Sequence, residues 1–113
     1  ERKRGMGFLP VDSRRGCSLR HCGFFGLDLK GFQFAGADLS GSFFDGCKLE
    51  EASFAGCRLQ GTSFAQNDLR GADFRGATEY FFSLEGNRVK NAKFSLPEAV
   101  NLLAALGVVI EDL

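Results

Sequence analysis

Two cysteines and a histidine near the start of the sequence are the residues best suited to bind a metal ion. Cys17, His21 and Cys22 could each offer a ligand to zinc, which usually takes four ligands at recognisable spacings. A fourth ligand is missing, and the spacing matches no common zinc pattern. Both cysteines also stand where a small residue recurs along the chain, and Cys packs there as a compact apolar side chain. The sequence therefore predicts no metal site.

Two other stretches could be interpreted as catalytic, and neither interpretation holds. Residues 41–48, GSFFDGCK, show only part of the P-loop pattern, because no Gly precedes the Lys and no Ser or Thr follows it. Glu79 and Tyr80 interrupt a repeat, but the motif places no partner base or nucleophile beside them. We therefore expect a protein that is not an enzyme and that has no catalytic residues and no cofactor.

A five-residue repeat organises the chain and must position all of these residues. Leu and Phe alternate at every fifth position, miss a step at Glu79, and are followed by further apolar residues at the same spacing. A period of five fits neither a helix nor a flat strand, so each unit must combine a short extended piece with a turn. The predicted core ladder comprises Leu19, Phe24, Leu29, Phe34, Leu39, Phe44, Leu49, Phe54, Leu59, Phe64, Leu69, Phe74, Leu84, Val89 and Phe94.

The residues around each Leu or Phe complete the unit. Two positions earlier the residue is mostly small, as at Cys47 and Ala52, and two positions later it is usually Gly, as at Gly41. Gly suits a corner at which φ must be positive, as at the third position of a type II turn. Each unit then has two inward residues, two outward residues and a corner. A chain that turns the same way every five residues must coil into a solenoid.

Charged residues indicate the length of one coil. Asp28, Lys48, Asp68 and Arg88 are twenty residues apart and alternate in sign. Successive coils of a parallel solenoid stack about 4.8 Å apart, where opposite charges attract and like charges repel. Four five-residue sides per coil would place these opposite charges next to one another and would stack Leu on Leu and Phe on Phe.

The repeat resembles the pentapeptide-repeat family. The stretch GADLSGSFFDGCKLEEASFAGCRLQGTSFAQNDLRGADFRGA carries the resemblance, and residues 37–41, Ala-Asp-Leu-Ser-Gly, match the family motif A-(D/N)-L-x-x. The resemblance covers residues 17–96. It implies an all-β solenoid, a right-handed quadrilateral β-helix, here of about four coils of twenty residues each.

Composition and the cysteines limit the possible surroundings of the protein. The 113 residues carry 14 basic and 14 acidic side chains, so no strong attraction to nucleic acid or to a membrane is implied. No apolar run is long enough to span a bilayer. The spacing of Cys47 and Cys57 places them on opposite sides of a coil, which favours reduced thiols and a cytoplasmic protein.

Residues 1–16 lie outside the repeat and form an N-terminal tail or cap. Arg2, Lys3 and Arg4 make a basic arm that could contact phosphates, although such runs are more often solvated. Phe8, Leu9 and Val11 could fold over the open first coil, because the ends of a solenoid need a cover. The absence of an initial Met leads us to expect that residue 1 is a fragment edge.

The last segment, residues 97–113, is predicted to be a cap and a dimer contact. Residues 95–98, Ser-Leu-Pro-Glu, have the pattern of a capping box, which predicts a helix to about Leu106 that ends at Gly107. The helix is apolar nearly all round, so one face should cover the last coil and another should meet a second copy. VVIEDL after it has the pattern of a short strand.

KFSLPEAVNLLAALGVVIED resembles the C-termini of the quinolone-resistance (Qnr-type) pentapeptide-repeat proteins. That resemblance implies a terminal helix that caps the solenoid and makes a rod-like homodimer. It also implies that the rod binds type II topoisomerases, DNA gyrase and topoisomerase IV, by imitating duplex DNA, and that it protects them from quinolones. The corresponding cap and dimer positions are Leu96, Pro97, Ala99, Val100, Leu103, Leu106, Val108 and Val109.

Two functions from different classes follow. The first is a topoisomerase-binding DNA mimic, whose partner surface would use the acidic residues Asp28, Asp38, Asp45, Glu50, Glu51, Asp68 and Asp73. The second is a scaffolding solenoid that binds another protein, with Phe25 and Phe43 as the candidate contact because both should face outward on adjacent coils. The N-terminal segment could equally cover these two rings. A continuous acidic strip would favour the first function. Direct binding to nucleic acid or to a membrane is not expected.

Overall fold

A parallel ladder of short strands wraps around an apolar interior. The structure is a computed structural model that describes residues 18–111. Its strands are β1 (Gly23–Phe25), β2 (Phe43–Asp45) and β3 (Ser63–Ala65), in the order β1-β2-β3, and one short helix, α1 (Val100–Ala105), follows. Phe24 is in register with Phe44, and Phe44 with Phe64, so each strand pairs with the residue twenty positions later.

Isolated parallel β-bridges between residues twenty positions apart define three further sides of each coil. The first side pairs Ser18, Asp38, Arg58 and Thr78; the third pairs Asp28, Lys48, Asp68 and Arg88; the fourth pairs Gln33, Ser53, Asp73 and Lys93. The strands form the second side. Every bridge joins residues twenty apart, so each coil takes twenty residues and has four sides. The chain is therefore a β-helix solenoid.

The interior consists of stacked rings and stacked leucines. Phe34, Phe54 and Phe74 stack on the fourth side with ring centroids 5.0 and 4.9 Å apart, and they meet the Phe44 and Phe64 stack edge to face. All ladder positions from Leu19 to Phe74 are buried. The final three, Leu84, Val89 and Phe94, are only partly buried, because no further coil covers them.

Most corners have a positive φ, and glycine does not supply it at all of them. Gly41 and Gly46 have φ of 73° and 70°, as the turn pattern predicts. Several other residues occupy the same left-handed region, namely His21, Glu51, Gln66 and Asn91. Gly86 stands at a corner position and is not among the residues with positive φ.

The small inward position also forms hydrogen bonds. Its side chain donates to the carbonyl oxygen 23 residues earlier: Ser42 to Leu19, Thr62 to Leu39, Cys47 to Phe24, Cys57 to Phe34, Asn67 to Phe44 and Asn87 to Phe64. Each bond ties one coil to the coil below. Burial raises the pKa of the Cys57 thiol to about 11, so it stays protonated at neutral pH. Both Cys47 and Cys57 are free thiols.

A bulge replaces the missing ladder step. Glu79 takes φ of 63° and is exposed, while Tyr80 and Phe82 turn inward and are buried. A lone buried carboxylate would be costly, and two aromatic rings fill the space instead. The bulge ends the sheet of the second side at β3, because no residue of the fourth coil pairs with that strand among residues 18–111.

The C-terminal segment differs from the prediction in three ways. The helix is shorter than expected, and its N-cap is Ala99 with no side-chain cap. Ser95 and Glu98 do not form a capping box: their side chains accept hydrogen bonds from the backbone N–H groups of Gly76 and Glu79, at 3.0 and 2.7 Å. Residues 108–111 form no strand, contrary to the expectation for VVIEDL. The N-terminal tail or cap predicted for residues 1–16, and the predicted role of Cys17, lie outside the described residues.

The polar side chains of this segment form hydrogen bonds with the backbone of residues 76–80. In addition to the bonds of Ser95 and Glu98, the Asn101 Nδ2 donates a hydrogen bond to the Tyr80 carbonyl oxygen at 2.9 Å. Leu102 is buried against the core below it. The segment is therefore held to the solenoid by side chain to backbone bonds, with one leucine as its apolar anchor.

The pKa of the Tyr80 phenol should show whether this side chain is buried at the C-terminal end of the solenoid. Burial, and then the charge of Glu98, raise the pKa of Tyr80 to about 12, whereas an unfolded chain titrates near 10. The folded state favours the neutral phenol, so this contribution to stability is complete below pH ~10 and is lost as the pH rises towards ~12. Tyr80 is the only Tyr and there is no Trp, so near-ultraviolet absorbance follows it alone.

We expect a native titration midpoint near 12 that falls to the ordinary value in denaturant. Tyr80→Phe should fold normally and lose the Tyr80 part of the alkaline destabilisation, because no described residue accepts a hydrogen bond from this hydroxyl. A native midpoint equal to that of the denatured chain would mean that Tyr80 is not buried.

Candidate interaction surfaces

Two of the three candidate metal ligands, His21 and Cys22, lie in the part of the chain that the structure describes. His21 is exposed at a corner with φ of 58°, and Cys22 is half-buried. Among residues 18–111, no three His, Cys, Asp or Glu side chains lie close enough together to hold an ion. The same part of the chain has no helix long and apolar enough to cross a membrane.

A groove with a volume of about 460 Å³ lies at the corner between the second and third sides. Lys48, Asp68, Glu85 and Arg88 line it together with Gln66 and Asn67. Small-molecule sites are mostly apolar with a few convergent polar groups. This groove has mixed charges and no large apolar side chain, so it does not have the character of such a site.

The acidic residues are dispersed and several are paired with arginine. Asp73 accepts two hydrogen bonds from the Arg75 guanidinium, and Asp68 accepts two from Arg70. These bonds hold the pKa of both carboxyls below the ordinary value. Glu50 also lies 3.7 Å from Arg70. Acidic residues of the third and fourth sides therefore meet cations rather than form a strip of free carboxylates.

The remaining acids lie apart from one another. Asp38, on the first side, accepts a hydrogen bond from the Ser40 hydroxyl, which lowers its pKa, and its backbone pairs with that of Arg58 in a β-bridge. Asp45 is exposed at the end of β2, and Glu51 is exposed at a corner. The Asp28 carboxylate accepts a hydrogen bond from the Lys30 backbone N–H, and the backbone of Asp28 pairs with that of Lys48 in a β-bridge. The structure does not bring the seven predicted acids together.

Phe25 and Phe43 lie against each other on the second side. Their ring centroids are 5.2 Å apart, and the side chains are 60% and 39% exposed. Both rings lie over Gly23, where a Cβ would come within 2.7 Å of Phe25 and 2.8 Å of Phe43. We call Gly23, Phe25 and Phe43 the aromatic patch. The absent side chain at Gly23 lets both rings lie close to the strand.

A second apolar surface occupies the C-terminal end. It consists of large side chains that are all at least 36% exposed, and we call it the C-terminal apolar surface: Leu96, Val100, Leu103, Leu106, Val108, Val109 and Ile110. Six of its positions were expected from the sequence, whereas Ile110 was missed; the apolar run VVI was the available signal. Ala99 is half-buried and Pro97 exposed.

Comparisons with known proteins give concordant results. A family model described as the pentapeptide repeat region matches residues 17–94. A pentapeptide repeat protein of the Arabidopsis thaliana thylakoid lumen is 32% identical in a solved structure, with a TM-score of 0.59; the match covers 76% of this chain and 67% of that one. Curated protein sequences give no match.

Two more solved structures are similar at lower identity. QnrB1, a plasmid-mediated fluoroquinolone resistance protein solved in a trypsin-treated form, is 18% identical over 86% of this chain and 47% of that chain, with a TM-score of 0.45. HetL, a pentapeptide repeat protein involved in heterocyst differentiation regulation in the cyanobacterium Nostoc, is 20% identical over 69% and 45%, with a TM-score of 0.29. The chain thus spans about two thirds of the Arabidopsis protein and about half of these two.

Proposed function

Because the chain belongs to the pentapeptide-repeat family, we propose that it is a non-enzymatic protein-interaction module that works as a homodimer joined through the C-terminal apolar surface. In this proposal the solenoid is a right-handed quadrilateral β-helix of about four coils, and α1 caps it. Free thiols at Cys47 and Cys57 suit a reducing compartment such as the cytoplasm.

The exposure of the C-terminal apolar surface is the observation that carries this proposal. Leu96 and Val109 are 78% and 75% exposed, and five more large apolar side chains lie between residues 100 and 110. Only Leu102 of α1 is buried. So many exposed large apolar side chains within fifteen residues of chain usually mark a protein contact. A second copy offers the same surface, and a two-fold axis would bury both at once.

Leu103→Arg tests the dimer. Leu103 is 43% exposed, so the substitution should leave the fold intact but place a charge in the contact. We expect a homodimer for the original chain and a monomer for Leu103→Arg in analytical ultracentrifugation. Phe25→Arg is the matched control, because it exchanges an exposed apolar residue at the other end of the solenoid. A Leu103→Arg protein that sediments as a dimer would contradict the assignment.

A second candidate function is a DNA mimic that binds DNA gyrase or topoisomerase IV and protects it from quinolones. The C-terminal sequence resemblance to the Qnr-type group supports it. The pairing of Asp68 and Asp73 with arginine weighs against it, because the DNA gate of such an enzyme is basic and a mimic needs free carboxylates. A neutral dimeric rod with apolar contacts fits the scaffold better, so the scaffold is the leading proposal.

Gyrase supercoiling in the presence of a quinolone distinguishes the two candidates. The original chain and the Leu103→Arg variant are titrated side by side. Rescue of supercoiling by the dimer, and not by the variant, would establish the topoisomerase function. If the protein neither rescues nor inhibits supercoiling at high micromolar concentration, the topoisomerase function is eliminated and the scaffold remains.

A further inference from the structure

The aromatic patch is an apolar surface on the wall of the solenoid, far from the C-terminal apolar surface in the coil order. Phe25 stands on the first coil and Phe43 on the second, on neighbouring strands. Gly23 holds the rings flat against the strand, so the patch is already shaped. The next coil has Ser63 and Ala65 in the corresponding places, so the patch ends there.

The size of the patch limits what can cover it. With side chains 60% and 39% exposed, the two rings offer roughly 200 Å² of apolar area. A stable contact between two proteins needs about 800 Å² on each partner. A second copy of the chain would therefore find too little here, whereas a short apolar peptide segment would be matched in area.

The chain carries such a segment. Phe8, Leu9, Pro10 and Val11 are the apolar residues of a polar stretch that joins the solenoid at Ser18. Six residues separate Val11 from Ser18, and the seven steps between them can span up to about 23 Å when extended. Ser18 itself precedes Phe25 by seven residues, on the adjoining side of the first coil. Covalent attachment gives the segment an effective concentration in the millimolar range at the patch.

Charge adds a second match. Asp45 is in register with Phe25 and exposed, and it forms no ion pair with any residue of the described range 18–111. Arg14 and Arg15 follow the apolar segment. A guanidinium beside an exposed carboxylate at the rim would favour docking modestly.

We propose that residues 8–11 of the same chain lie on the aromatic patch. The patch is then a covered interaction surface, and any partner that binds the second side must first displace this segment. The proposal does not depend on the dimer or on the identity of a partner, because it concerns a contact within one chain.

A single tryptophan tests the docking. The chain has no Trp, so Phe8→Trp introduces a reporter whose emission comes from residue 8 alone. We expect emission shifted to the blue relative to the same protein in denaturant, and independent of protein concentration. In the Phe8→Trp background, Phe25→Ser or Phe43→Ser should remove the shift. Both rings are substantially exposed, so neither change should unfold the protein, which circular dichroism would verify.

Phe81→Ser is the matched control, because Phe81 is 61% exposed and lies outside the patch. It should keep the blue shift. A fully solvent-exposed emission in the parent Phe8→Trp protein would overturn the proposal. So would a shift that survives both serine variants, since the segment would then dock elsewhere, or a shift that disappears on dilution, since the contact would then join two chains.

Discussion

Phe54→Ala is expected to lower the free energy of unfolding by about 3–5 kcal/mol. Phe54 is fully buried at the centre of the fourth-side stack, between Phe34 and Phe74, and it meets Phe44 and Phe64 edge to face. Alanine would leave a cavity that stacked coils cannot close, because the backbone ladder fixes their spacing. A domain of this size has only about 5–15 kcal/mol to lose, so the variant should melt at a much lower temperature or fail to fold.

Urea unfolding followed by circular dichroism measures this loss. Phe81→Ala removes the same ring from an exposed position and should change the stability by less than about 0.5 kcal/mol. If Phe54→Ala were no less stable than Phe81→Ala, the ring stack would not be the core of the protein.

The second large effect is expected from Asn67→Leu. Asn67 is buried, accepts a hydrogen bond from the Cys47 N–H at 2.8 Å and donates to the Phe44 carbonyl oxygen at 3.0 Å. Leucine would leave both backbone groups buried without these partners, at about 1–3 kcal/mol each. The side chain also joins Asn87, so the link to the next coil would weaken too. Side-chain size is not the obstacle, since Leu27 holds the equivalent place in the first coil.

Gln60→Leu provides the comparison, because it makes a similar exchange at an exposed position. We expect Asn67→Leu to lose several-fold more stability than Gln60→Leu in the same urea experiment. Hydrogen exchange should also accelerate at the Cys47 amide, whose acceptor is removed. Equal stability of the two variants would show that the hydrogen bonds of Asn67 contribute little to the contact between coils.

The hydrogen bonds of some inward side chains could not be predicted from the sequence repeat. The small position before each Leu or Phe suggests compact filling, yet Thr62 and Asn67 use their polar groups on carbonyls 23 residues earlier. The residue types, Ser, Thr, Cys and Asn, were visible as a signal. Their partners were not, because the distance in sequence becomes a contact only after the coils have stacked.

The end of the solenoid shows a second kind of failure. Ser95 and Glu98 stand at the spacing of a capping box, and the pattern predicts that they bond within their own helix. Instead they accept hydrogen bonds from the backbone N–H groups of Gly76 and Glu79, which in earlier coils go to backbone carbonyl oxygens nineteen residues later. Buried or edge backbone donors need acceptors, and this tertiary need outweighs the local capping preference.

The sequence by itself determined the repeat, the interior and the length of one coil. Leu and Phe every five residues indicate a chain that turns regularly, and alternating charges twenty residues apart indicate coils of twenty residues. The structure pairs Asp28, Lys48, Asp68 and Arg88 in successive β-bridges at this spacing. Only the tertiary structure decided which side chains join coils, how the last coil is covered and which apolar groups remain exposed. Those features arise from contacts between distant residues and from the open end, where the repeat no longer dictates the neighbour.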